Sequence, residues 1–136
     1  MLLVLPSVWL ADSGAYFIGR SFGRHKLSPR LSPKKTWEGY IAGLFFGTLG
    51  TVGLVALWRI WAGPEFAITL WEGALLGLLL SAFPTLGDLG ESMIKRQSGV
   101  KDSGNLLPGH GGAFDRIDSW LWAEPIGYYF ILWVLR

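Results

Sequence analysis

The sequence predicts an all-α, polytopic membrane protein of about four spanning helices joined by two polar loops. Three observations predict it. The chain is 51% hydrophobic and 15% aromatic but only 16% charged, too apolar for an ordinary soluble domain. Residues 39–58, from Gly39 to Trp58, carry no charge at all, and at ~1.5 Å per residue such a run covers the ~30 Å hydrocarbon core. The charges that do occur are clustered between apolar stretches rather than spread, as repeated crossing of a bilayer demands. With no cysteine, disulfides and thiolate metal sites are excluded, so any metal must be held by oxygen or imidazole.

The first helix is placed at 1–19. Its apolar start lacks a basic region before it and is interrupted by Asp12, which argues against a cleaved signal. It opens abruptly, so the expectation is a chain that begins partway through a longer membrane protein. The charge-free run makes the second helix. A third is expected at 66–87, broken only by Glu72 near its outer end, after a Gly63-Pro64 turn. The fourth, at 119–136, is weakened by Glu124-Pro125. Between the first two lies a segment holding Arg20, Arg24, Lys26, Arg30, Lys34 and Lys35 without one acid, so the positive-inside rule places it in the cytoplasm. Two further crossings return residues 88–118 to the same side, the compartment that contains nucleotides.

That second loop concentrates chemistry. If the third helix runs on past the membrane, Asp88, Glu91, Ser92 and Lys95 fall at i, i+3, i+4 and i+7 and share a face. Asp115 and Asp118, three apart beside the last helix, can likewise share a face and offer oxygens to a hard divalent ion such as the Mg²⁺ of a nucleotide. The Pro108-Gly109-His110-Gly111-Gly112 turn lets backbone N–H groups approach an anion, and His110 can donate to a phosphate. Lys95, Arg96, Lys101 and Arg116 supply charge for a triphosphate. Taken singly these are commonplace: an Asp-x-x-Asp is ordinarily a solvated helix start, and a basic pair at a helix end ordinarily an anchor. Their convergence in one loop carries the functional reading.

The pattern Ser92-x-x-Lys95-Arg96, Lys101-Asp102, then Pro108-Gly109-His110-Gly111-Gly112-x-x-Asp115-Arg116-x-Asp118 resembles the signature of the phosphatidate cytidylyltransferase family, departing mildly at Ala113, where a larger aliphatic residue is expected. A second stretch is similar to the family's other recurring segment. It runs from Asp12-Ser13-Gly14-Ala15-Tyr16 to Arg20, then through Leu27-Ser28-Pro29 to Ser32-Pro33-Lys34-Lys35-Thr36-Trp37-Glu38-Gly39. The resemblance implies a single membrane-embedded catalytic domain over 1–136, the C-terminal part of a longer fold. It implies that the phosphate of phosphatidic acid attacks the α-phosphorus of CTP, giving CDP-diacylglycerol and pyrophosphate.

Implied catalytic residues are Asp88, Lys95, Arg96, Lys101, Asp102, Asp115, Arg116 and Asp118, with Asp88, Asp115 and Asp118 holding Mg²⁺ and room for a second cation. Implied substrate contacts are Ser92, His110, Gly111, Gly112, Asp12, Ser32, Lys34, Lys35 and Thr36. For Lys34, Lys35 and Thr36 binding is preferred over anchoring. For Arg24, Lys26 and Arg30 anchoring is narrowly preferred. Asp12 is costly inside a bilayer unless it faces a wet cavity, a cation or a metal. The later loop is assigned mainly to CTP and the first mainly to the lipid phosphate. The expected partners are CTP, phosphatidic acid and the bilayer of a bacterial inner membrane, with no nucleic acid and with a homodimer left open. The rivals are a related CTP-dependent lipid enzyme, a transporter or scaffold with anchoring loops, and an inactive remnant.

Overall fold

A computed structural model of the chain describes residues 2–29, 31–63, 66–99 and 114–136, the side chains of 114–118 excepted. Among the described residues there are four helices, α1 (Val4–Phe22), α2 (Trp37–Ala62), α3 (Leu70–Gln97) and α4 (Phe114–Val134), and a two-stranded antiparallel hairpin, β1 (Lys26–Ser28) and β2 (Ser32–Thr36), between α1 and α2. The basic segment expected as a plain loop is therefore ordered: α1 runs on through Arg20 and the hairpin takes up most of the rest. Arg30, which falls within it, lies outside the described residues, as does Pro64 of the expected turn.

Helices α2 and α3 are long and apolar enough to cross a membrane. Their packing has the polarity expected of membrane helices. In α2 the buried residues are Gly39, Gly43, Gly47, Thr51 and Val55, a stripe four residues apart, whereas Ile41, Phe45, Leu49 and Leu57 are exposed. Small side chains turned inward let backbones approach, and large apolar ones turned outward suit lipid. A Cβ on Gly39 would stand 2.8 Å from the Ala15 carbonyl oxygen and 3.0 Å from Gly19 Cα of α1, so this contact is nearly backbone on backbone. Gly47 is filled on its open side by Ser81 of α3, and Gly77 of α3 by Thr51 of α2. Trp122 of α4 packs over Gly87 of α3. The apolar core below is Val4, Val8, Leu76, Leu80, Ala123 and Phe130, contributed by α1, α3 and α4.

Helix ends follow local chemistry. Thr36 caps α2, its Oγ1 accepting from the Gly39 N–H at 3.2 Å, and Gly63 ends it at φ +77°, a backbone conformation that glycine adopts without penalty. At the far side Thr69 and Glu72 form a reciprocal capping box that starts α3. Glu72 is thereby accounted for as a cap. Helix α3 continues ten residues beyond Gly87, to Gln97, which meets the condition for Asp88, Glu91, Ser92 and Lys95 to share a face.

Candidate active site

The hairpin is fixed to the start of α2 from both strands. Thr36, the last residue of β2, leads directly into the helix, and Lys26 of β1 is its cross-strand partner. Just before β1, the His25 carbonyl accepts from the Trp37 N–H at 2.9 Å. The Glu38 carboxylate in turn accepts from the His25 backbone N–H at 3.2 Å and meets the imidazole Nδ1 at 2.7 Å. A hairpin this short is marginal by itself. Its clamp to a helix end gives its lysines fixed positions.

Under the hairpin, between α1, α2 and α3, lies a cavity of about 600 Å³. Its walls carry Asp12 and Arg20 from α1, Lys26, Lys34, Lys35 and Thr36 from the hairpin, Tyr40 from α2, and Ser81, Thr85 and Asp88 from α3. Ser119, from the beginning of α4, closes one side. Lys35 Nζ is hydrogen-bonded to Asp88 Oδ2, and this ion pair joins the first polar segment to the second across 53 residues of sequence. Four basic side chains face two carboxylates, which leaves the cavity net cationic and suited to an anion with more than one charge. Arg20 is held over Tyr16, its Nη1 donating to the phenol oxygen at 2.7 Å. The Ser81 hydroxyl donates to the Gly77 carbonyl at 2.7 Å and that of Thr85 to the Ser81 carbonyl at 3.2 Å. Both oxygens keep lone pairs for a bound donor or cation.

The structure thus brings together Asp12, Lys34, Lys35, Thr36 and Asp88 from the sequence-predicted set. Lys26, for which the sequence narrowly favours anchoring, lines the same cavity. Asp12, at the middle of α1, lines this cavity. Ser92 and Lys95 follow Asp88 on the same side of α3, and Lys95 Nζ lies 3.0 Å from the Glu91 carboxylate, which is only 9% exposed. Ser32 sits at the start of β2 opposite Ser28 and does not line the cavity. Arg96 is exposed near the end of α3. Lys101, Asp102, His110, Gly111 and Gly112 lie outside the described residues, and of Asp115, Arg116 and Asp118 the helical backbone alone is described. Tyr40, Ser81, Thr85 and Ser119 were not anticipated. A signal existed for two of them: Ser81, Thr85 and Asp88 stand at i, i+4 and i+7 and are the polar residues of the otherwise apolar run 73–88.

Among the described residues no three carboxylates or imidazoles come together. Asp88 nevertheless has the chemistry of a ligand for a hard cation: a half-buried carboxylate on a cavity wall, already compensated by a positive charge. Ser119, on the same wall, directly follows Asp118 and stands one helical turn from Asp115. The Asp88 carboxylate is thus an oxygen donor of the kind Mg²⁺ takes.

Fold and cavity together define a class: a helical membrane protein with a cationic, carboxylate-bearing cavity bounded by its helices and a hairpin. Within that class the chain belongs to the cytidylyltransferase family, whose model matches residues 1–134. It is 48% identical over 135 residues to a phosphatidate cytidylyltransferase of Synechocystis, covering 98% of this chain and 43% of the relative. A Haemophilus influenzae protein of the same name is 47% identical over 135 residues, covering 99% and 46%. One from Staphylococcus aureus is 50% identical over 119 residues, covering 88% and 44%. The chain thus spans less than half the length of these curated relatives.

Proposed function

We propose that this chain forms the reaction centre of a membrane nucleotidyltransferase that makes CDP-diacylglycerol and pyrophosphate from CTP and phosphatidic acid. The Lys35–Asp88 pair carries the reading, because it unites the two motif-bearing segments in one cationic cavity beside helices able to cross a bilayer. In the reaction a phosphate oxygen of phosphatidic acid forms a bond to the α-phosphorus of CTP. The bond from that phosphorus to the bridging oxygen breaks, and its electron pair leaves with pyrophosphate. Two anions must therefore be brought into contact. Arg20, Lys26 and Lys34, which line the cavity, offset that repulsion.

Asp88, with Asp115 and Asp118 of α4, would hold Mg²⁺. When bound, the ion supplies charge neutralisation at the triphosphate. Thr36 and Tyr40 border the same space and are positioned to donate hydroxyl hydrogen bonds. All four helices cross the inner membrane of a bacterium in this proposal. The hairpin and the 88–118 segment face the cytoplasm, where CTP is found, and the Thr69–Glu72 cap faces outward.

Pyrophosphate release by the purified chain in mixed micelles tests the reading. Release should require CTP and phosphatidic acid together with a divalent cation. Release with CTP alone, or with another lipid in place of phosphatidic acid, would assign the chain to a different reaction.

A further inference from the structure

The Lys35–Asp88 pair joins two groups for which the reaction has separate uses, a carboxylate for a cation and an ammonium for a phosphate. Each is engaged by the other, and their side chains are 27% and 28% exposed, so the pair lies inside the cavity rather than on the open surface. Both residues belong to ordered elements, β2 and α3. A divalent cation that reaches Asp88 alone meets a tethered competitor. Once displaced, Lys35 adds an uncompensated charge to a cavity that already holds Arg20, Lys26 and Lys34. An entering phosphate removes that charge.

The geometry points to a counter-ion exchange at the centre of the site: Asp88 passes from Lys35 to the divalent cation as Lys35 passes from Asp88 to a phosphate oxygen. No covalent bond changes. The inference rests on the proposed roles of Asp88 and Lys35 and adds a coupling between them. Lys35 opposes cation binding in the ligand-free protein and favours it once phosphate is present, and linkage makes the effect reciprocal. The device keeps the cation weakly held until its anionic partner arrives.

Lys34 provides the control, since it lines the same cavity but forms no ion pair among the described residues, so its removal changes the charge without freeing Asp88. The experiment is titration of the purified chain in detergent with Mn²⁺ alone, reading free ion by electron paramagnetic resonance. Lys35→Ala should bind Mn²⁺ about tenfold more tightly than the unsubstituted chain, about 1.4 kcal/mol, as expected when a charge-assisted competitor is removed. Lys35→Met should repeat this with less change in packing, Lys34→Ala should shift binding by less than about threefold, and Asp88→Asn should abolish the gain.

Inorganic phosphate should then tighten Mn²⁺ binding in the unsubstituted chain and do so several-fold less in Lys35→Ala, with free ion calibrated in the same buffer without protein. Equal effects of Lys34→Ala and Lys35→Ala, or weaker binding in both Lys35 variants, would overturn the exchange. Failure of the exchange in a chain that still transfers cytidylyl groups leaves the proposed function standing. An inactive chain that shows the tenfold gain leaves the exchange standing and removes the function.

Discussion

Replacing Gly39 by alanine should loosen the α1–α2 contact from which the cavity is built. The added Cβ would lie 2.8 Å from the Ala15 carbonyl oxygen, 3.0 Å from Gly19 Cα and 3.0 Å from Thr36 Oγ1. Two of these neighbours are backbone and the third is the cap of α2, so none can give way cheaply. Overpacking of this kind costs ~1–3 kcal/mol. Gly53, in the same helix, has nothing within 4 Å of its built Cβ, so alanine there gains helix propensity of up to ~1 kcal/mol with no clash. Since that gain applies at both positions, the two variants should differ by the overpacking alone, ~1–3 kcal/mol. Reversible unfolding in one detergent, followed by tryptophan fluorescence, measures the difference. Gly39→Ala should also reduce turnover, because Gly39 lines the cavity. Equal stability of the two variants would refute the backbone-on-backbone packing of α1 and α2.

Three further outcomes follow from the account. Asp115→Asn and Asp118→Asn should each lower turnover by orders of magnitude while the protein remains folded in detergent, and excess EDTA should abolish activity of the unsubstituted chain; near-normal turnover of the double variant in EDTA would remove the metal from the mechanism. The chain has no cysteine, so single cysteines at Ser28 and Ser103 should react with an impermeant thiol reagent only after cells are opened, and one at Thr69 should react from outside, with the reverse pattern inverting the topology. Thr69→Ala should destabilise α3 by ~1 kcal/mol through loss of its cap and leave turnover unchanged, which comparison of melting with rate will show.

The helices were legible because lipid imposes a coarse rule, an uncharged run long enough to cross, and residues 39–58 obey it without exception. Their ends were less so. Helix α3 outlasts its apolar stretch by ten residues because Asp88, Glu91, Ser92 and Lys95 continue the same helical face in polar form. The hairpin was missed for a different reason. Its strands are three and five residues long, with Pro29 and Pro33 in or beside them, and what fixes it is the Glu38 clamp on His25, a contact between segments 13 residues apart. The spacing of Gly39, Gly43 and Gly47 was visible and marks a close helix approach, but it does not name the partner helix. The candidate site was legible as two lists of residue types. That Lys35 of one meets Asp88 of the other is a fact of tertiary packing that no local pattern encodes.

Transfer of label from CTP radiolabelled at the α-phosphorus is the decisive measurement for the proposed reaction. The purified chain, given this CTP with phosphatidic acid and Mg²⁺, should move the label into the lipid fraction, whereas label at the γ-phosphorus should appear only in pyrophosphate. Lys35→Ala and Asp88→Asn should each suppress the transfer, and Gly53→Ala, remote from the cavity lining, should not. No α-label in lipid from a folded chain, under conditions where a full-length relative transfers it, would contradict the assignment of this cavity as the reaction centre.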